Sequence, residues 1–409
     1  MGTRDTTAME VMSVLSAQLL WLGLSVLAAA DGPSPLAPWR DGVKVSPVLK
    51  DAERHSIHSY FNTSPESPDG RWVLLYASTT PDAHQGEVWI VERARGETKV
   101  LARNVTVEDA HRAACQQWVS GGRRVAFHDL RDGEWVVVVV EIETLQERVL
   151  ARGRQLSWGQ PTSDIVPMYG PHWAPGEHRD LELLNVETGE IRTVVTADAV
   201  RAAYPEWVSK QFGDKPVSIF FPILSPDLNL AIIKMATPAG GDFRSSQASV
   251  REGLVCCDMA NSRLLWMHPR WGHPAWRPDS RALINMGSPG PVVIDSRTGA
   301  VQSNPKQPRS SGGHPSFAPD GRVFAADTVL RGEGQSGRNW AVIVGDIIEG
   351  DCETLHEFDN SKGATSWRRS HPHPVFSADG KRLYFNVSAD RWTRVYVAES
   401  EFGDNPHEP

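Results

Sequence analysis

Apolar residues in this chain come in short runs rich in Val, Ile, Leu, Phe, Tyr and Trp, separated by turns of one recurring composition. The turn is seen as Ser67-Pro68-Asp69-Gly70-Arg71, Ser225-Pro226-Asp227, Arg277-Pro278-Asp279-Ser280-Arg281, Ala318-Pro319-Asp320-Gly321-Arg322 and Ser377-Ala378-Asp379-Gly380-Lys381, with degenerate copies at Ser120-Gly121-Gly122-Arg123 and Ala174-Pro175-Gly176. The seven copies recur about every 52 residues, a period that points to propeller repeats. An apolar run precedes each turn and another follows it, as in Trp72–Tyr76, Arg124–Phe127, Ala231–Met235 and Arg382–Phe385, so each unit opens with a hairpin. Further runs at Val88–Val91, Leu181–Val186 and Val292–Asp295 end in second turns at Gly96, Thr188-Gly189 and Thr298-Gly299. Four strands per unit predict an all-β chain, a seven-bladed β-propeller with four-stranded antiparallel blades. An open sandwich would leave the equal spacing unexplained.

The propeller is expected over residues 55–400, with 401–409 a C-terminal tail. Residues 31–54 read as a linker, and the stretch from about 40 to 57 can add a strand to the last blade and close the ring. Ala197–Gly213 looks helical, an excursion between the third and fourth units. Residues 1–30 contain Arg4 and an apolar run from Val11 to Ala30 that ends Ala28-Ala29-Ala30. That pattern predicts a signal peptide and export, to the periplasm or as a secreted protein; Asp5 and Glu10 leave an N-terminal membrane anchor as the alternative.

Composition supports the strand reading, since 29 prolines, 34 glycines and 15 tryptophans suit short strands and tight turns. A net charge of −8 without any Lys/Arg block argues against nucleic acid as a partner. Any polyanion must be met by local cations. Cys115, Cys256, Cys257 and Cys352 are too few for a disulfide framework. A monomer is expected.

Counting back six residues from the turn aspartate gives His273, His314 and His373 in three successive units, each followed by proline. Equivalent positions at the start of innermost strands ring the channel mouth, so these imidazoles should share one space. His371 joins them through the two-residue period of a strand. Neutral imidazoles converging from separate strands are a common way to hold a divalent first-row metal. The plainer alternative makes His-Pro a blade-entry signature whose ring bonds a neighbouring backbone. A second set lies earlier: His58, His111 with Gln116 and Gln117, His128, Tyr169 and His172. Beside a metal these become candidates for proton transfer, and Arg244 is a candidate to grip a carboxylate.

The segments from His58 to Gly70 (His-Ser-Tyr-Phe-Asn-Thr-Ser-Pro-Glu-Ser-Pro-Asp-Gly), His111 to Trp118, and Ser370 to Gly380 (Ser-His-Pro-His-Pro-Val-Phe-Ser-Ala-Asp-Gly) resemble the seven-bladed propeller polysaccharide lyases, the oligogalacturonate and ulvan lyases. The resemblance implies a metal, manganese first with zinc or calcium as alternatives, held by His371, His373 and His314, with His273 as the other candidate third histidine. A glutamine is expected three residues before the His-x-His pair, where this chain has Arg368. The same resemblance implies Arg244 or His111 as base, Tyr169 as acid and His128 nearby, with His58, Gln116, His172 and Arg368 toward the substrate. The implied reaction is β-elimination on a uronate-containing polysaccharide or oligosaccharide. The rival readings are an exported propeller that binds a glycan or protein without chemistry and a hydrolase with paired carboxylates, for which the sequence shows no Asp/Glu pair at the blade mouths.

Overall fold

The computed structural model describes residues 33–400 apart from 51, 287–289, 305, 307–312 and 331–337. The expected signal segment and C-terminal tail lie outside the described residues. Strands pair into five antiparallel four-stranded sheets and one eight-stranded sheet in which a single parallel bridge joins two further four-stranded blades, a seven-bladed β-propeller. Residues 55–106, 117–152, 155–195, 218–268, 275–303 and 315–359 form blades one to six. Residues 375–399 form three strands of blade seven, and Lys44–Pro47 supplies the fourth.

Inner strands sit between two neighbouring blades, so both their faces are buried and their sequence runs apolar without alternation. In blade two the strand Glu134–Glu141 buries Val136, Val137, Val138, Val139 and Val140. Each such valine contributes about 1.5 kcal/mol or more. The outermost strands face water and read as mixed, as in Val301–Ser303, which is exposed throughout.

The recurring turn has one chemistry. In blade one Ser67 Oγ donates to Asp69 Oδ1, which also accepts the Arg71 backbone N–H at 3.1 Å, while Trp72 N–H returns to Ser67 Oγ at 2.9 Å. Asp227, Asp279, Asp320 and Asp379 hold the backbone N–H two residues on in the same way. Gly70, Gly321 and Gly380 take φ of +73°, +66° and +72°, which only glycine adopts without strain.

Ring closure joins the two ends of the described chain. Lys44–Pro47 runs antiparallel to Arg394–Glu399, in the register Val45↔Ala398 and Pro47↔Tyr396, and the parallel bridge Ser56↔Arg394 then opens blade one. Across this seam Arg382 of blade seven makes two bonds to Glu66 of blade one, at 2.7 and 2.8 Å, and Tyr384 Oη donates to the same carboxylate. Between blades three and four the chain forms helices Ala197–Ala203 and Pro205–Phe212, with Thr196 capping the first through a 3.0 Å bond from the Ala199 N–H. All four cysteines are unpaired.

In blade three the innermost strand turns between Leu156 and Ile165, and the expected copy Ala174-Pro175-Gly176 instead joins the second and third strands, Ile165–Tyr169 and Leu181–Asn185. In the other six blades the innermost strand leads into its recurring turn, and those turns crowd one mouth of the channel. Pro226, Pro278 and Pro319 line a cavity of about 280 Å³ there with Phe61, Trp276, Phe317 and Phe376. Residues that enter the innermost strands gather at the opposite mouth, which is therefore where His273, His314 and His373 arrive.

Candidate metal centre and its surroundings

At that mouth His111, His314, His371 and His373 each offer a ring nitrogen, and the four atoms lie within 4.8 Å of one another. His371 and His373 precede the innermost strand of blade seven, His314 precedes that of blade six, and His111 comes from the connection into blade two. Ring centroids are 4.4 Å apart for His314 and His373, 4.5 Å for His111 and His373, and 4.6 Å for His111 and His371.

One carboxylate places two of the four. Asp327 Oδ1 accepts the backbone N–H of His314 at 2.7 Å, Oδ2 accepts that of His373 at 3.1 Å, and both oxygens lie 3.0–3.1 Å from His314 Nδ1. A ring that gives its Nδ1–H to a carboxylate turns a lone pair on Nε2 toward a ligand. Gly313 makes the approach feasible, since a Cβ there would meet the Asp327 carbonyl oxygen at 2.0 Å. His373 takes φ +50°, a left-handed conformation uncommon for a side chain of this size and frequent at functional sites. His111 Nδ1 bonds the Arg369 carbonyl at 3.0 Å, and Asn386 bonds the carbonyls of His58 and His371 and the N–H of His58.

Burial drives all four rings toward the neutral form. His314 and His371 are lowered to about 3, and His111 and His373 lie well below the ordinary value, with the charge of Arg368 acting in the same direction on all four. His111 Nε2, His371 Nδ1 and both ring nitrogens of His373 have no hydrogen-bond partner among the described residues. Buried lone pairs without donors are costly, and four neutral imidazoles aimed at one point fit a divalent cation. Calcium prefers oxygen ligands, so this donor set argues against it.

The other sequence candidates lie at differing depths. His273, expected in the metal set, stands outside the four-atom group, its ring 4.3 Å from that of His314 and its backbone N–H held by Asn285 at 2.7 Å. His111, expected as a base, stands inside the group. Arg244 Nη2 donates to the Val107 carbonyl at 3.0 Å, and its charge bears on Tyr76 and His84 instead of on the four histidines. Tyr169 is wholly buried and its hydroxyl accepts from Arg112 Nη1 at 2.9 Å. His128 is buried in blade two, where Nδ1 accepts the Leu156 N–H at 3.2 Å. His172 Nδ1 meets Ser249 Oγ at 2.8 Å. His58 Nε2 bonds the His373 carbonyl at 2.7 Å, a support beneath the metal set. Gln116 Nε2 bonds the Ile57 carbonyl at 2.9 Å and ties blade one to blade two. Arg368 is partly buried, and its charge bears on the four histidines.

Several functional-looking residues escaped sequence reasoning. Asp327 and Asn386 stand seven positions after their turn aspartates, where Lys234 stands in blade four; a lone polar residue inside an apolar strand was the available signal. Tyr60 packs against His373, His111 and His314 at centroid distances of 4.5, 5.7 and 5.9 Å, and no described residue bonds its hydroxyl. Glu108 and Asp109, buried together around Arg112, are a carboxylate pair close to the mouth that the turn-centred reading did not foresee. Beside His371 a cavity of about 510 Å³ opens among Arg338, Trp340, Asn360 and Arg369.

Fold and site define a seven-bladed propeller whose histidine-walled mouth is fitted for a cation. No protein-family model matches the sequence, and no curated protein matches it. Among solved structures the chain is similar to the oligogalacturonate lyase of Vibrio parahaemolyticus, at 13% identity and TM-score 0.60 over 90% of this chain and 98% of that one. It is likewise similar to an oligogalacturonate lyase in complex with manganese, at 14% identity and TM-score 0.56 over 88% of this chain and 96% of that one. At these identities the likeness establishes the fold.

Proposed function

We propose that this protein is a polysaccharide lyase that cleaves a uronate-containing polysaccharide or oligosaccharide by β-elimination, with a divalent metal at the four histidines. The observation that carries the reading is the meeting of His111, His314, His371 and His373, driven toward the neutral form and with four buried ring nitrogens unpartnered among the described residues. The manganese complex of the structural neighbour supports a first-row metal there. Export, expected from residues 1–30, suits a protein that meets polymers outside the cytoplasm.

The proton on C5 of a uronate is weakly acidic until the adjacent carboxylate is neutralised. A divalent metal held by His111, His314, His371 and His373 would supply Lewis-acid stabilisation of the negative charge that develops beside the carboxylate. Arg368 adds positive charge close enough to act on the same rings, and Arg338 and Arg369 with Trp340 offer an adjoining surface for a second acidic sugar. Local cations thus offset a net charge of −8. Of the two tyrosines, Tyr60 lies against three of the four histidines while Tyr169 is tied to Arg112, so we assign protonation of the leaving glycosidic oxygen to Tyr60. Asp327 and His58 hold the rings in place and take no proton from the sugar.

The test is incubation of the full-length protein with a panel of uronate polysaccharides and oligosaccharides, following the ultraviolet absorbance of the unsaturated product with and without chelator. Chelator-sensitive absorbance growth is expected. No product from any uronide, together with tight glycan binding, would replace the lyase with a binding module.

A further inference from the structure

Beyond the four histidines the same mouth holds a lysine that neither the metal nor any acidic partner accounts for. Lys234 lies on the second strand of blade four, Leu230–Pro238, between two irregular neighbours. On one side the pairing slips between Phe220 and Ile223, where Phe221 takes φ +57°. On the other it slips between Ile233 and Met235, opposite Gly253 at φ +86°. Bulges on both sides re-aim a side chain out of the regular pleat.

The ammonium nitrogen sits over the ring of Trp271 at 4.0 Å and near those of Phe220 and Phe221 at 5.7 and 5.9 Å. Phe220 is also flanked by the guanidinium groups of Arg251 and Arg112, at 5.6 and 5.8 Å. Among the described residues no carboxylate lies within ion-pair distance of Lys234. Its charged surroundings are Arg251 and Glu252 on the next strand, Arg112 from the connection into blade two and Arg368 from the connection into blade seven, and it bears in turn on His172 and His273. His273 is the link to the metal set, its ring 4.3 Å from that of His314.

We infer that Lys234 is the base that removes the C5 proton, an amine kept free of acidic partners inside an aromatic and cationic wall. The inference rests on the β-elimination reading. The Nζ lone pair takes the C5 proton, the C5–H electron pair becomes the C4=C5 double bond, and the C4–O bond breaks with its pair on the glycosidic oxygen. That oxygen takes the Tyr60 hydroxyl proton, and the lysine and tyrosine exchange their protons with water after product leaves, so no oxidant or co-reactant is needed. Burial, then the charges of Arg251 and Arg368, lower Lys234 well below the ordinary lysine value, and Glu252 acts against them. A uronate carboxylate entering among these cations raises the amine's proton affinity as the C5–H bond weakens.

Two measurements decide it. In the full-length protein with ¹³C-methylated amines, the resonance absent from Lys234→Arg should titrate well below those of the other lysines. Lys234→Ala should lose about 10²-fold or more in kcat with little change in KM or metal content, and a small primary amine should restore part of the rate. A Lys234 resonance that titrates with the others, or a fully active Lys234→Ala, overturns the inference while leaving the lyase reading intact. A wild type that eliminates no uronide overturns the lyase reading and the base with it, even where Lys234 titrates low.

Discussion

Asp327 holds His314 twice, through the backbone N–H at 2.7 Å and through ring Nδ1 at 3.0–3.1 Å. Since its second oxygen also takes the His373 N–H, one buried carboxylate on blade six aligns metal candidates from two blades. Removing half of its acceptor capacity with Asp327→Asn should therefore weaken metal binding by roughly 10- to 100-fold. Competition against a chromophoric chelator measures it; unchanged affinity would show that the rings are aligned without it.

Tyr60→Phe removes one hydroxyl and keeps the stacking of its ring on Trp158 at 5.1 Å. The expected outcome is a fall in kcat of about 10²-fold on uronides, with fold and metal content preserved. An equal loss in Tyr169→Phe with full activity in Tyr60→Phe would return the acid role to Tyr169.

Buried neutral histidines make stability depend on pH with a definite sign. Burial lowers His128 to about 3 and His55 to about 4, against 6.5 for an exposed imidazole. Above pH 6.5 both are neutral whether the chain is folded or not, so pH has no effect through them. Below 6.5 the unfolded chain binds protons that the folded one refuses, and stability falls by about 1.4 kcal/mol per pH unit per histidine until the folded value is reached. Urea unfolding between pH 7 and 4 should show this slope, and His128→Asn, whose Oδ1 can accept the Leu156 N–H, should reduce it.

Ring closure can be tested apart from chemistry. Glu66→Ala removes two charge-assisted bonds to Arg382 across the seam of blades one and seven while Arg382 keeps its 2.7 Å pair with Asp379, a change that costs on the order of 1–3 kcal/mol. Denaturant midpoints should drop accordingly while the metal stoichiometry of the folded protein stays the same.

The fold was legible because the device that makes most of the hairpins is local. In five blades an aspartate grips the N–H two residues on, followed by a residue at positive φ that is glycine in three of them and Leu228 or Ser280 in the others, and this device shows in the sequence. Counting from it located His314 and His373 at the entry of their strands, and the closing strand at Lys44–Pro47 followed from the need to complete blade seven. What counting along the repeat could not supply was the contribution of segments outside its register. His111 reaches the mouth on a connection with no register to count from, and Asp327 reads as a stray polar residue in Val323–Val329 until its oxygens are seen to meet two backbones. Arg244 was chosen for its loop, yet the loop carries it toward Val107, whereas Lys234, beside the register slip between Ile233 and Met235, carries its ammonium group to Trp271 at 4.0 Å.

The most direct test of the account is equilibrium metal titration of chelator-stripped full-length protein, with the bound ion counted by elemental analysis in wild type, His314→Ala and His373→Ala. One ion per wild-type chain, lost or weakened at least 100-fold in both variants, is the predicted result. A wild type that binds no first-row divalent ion, or variants that bind it as tightly as the wild type, would contradict it.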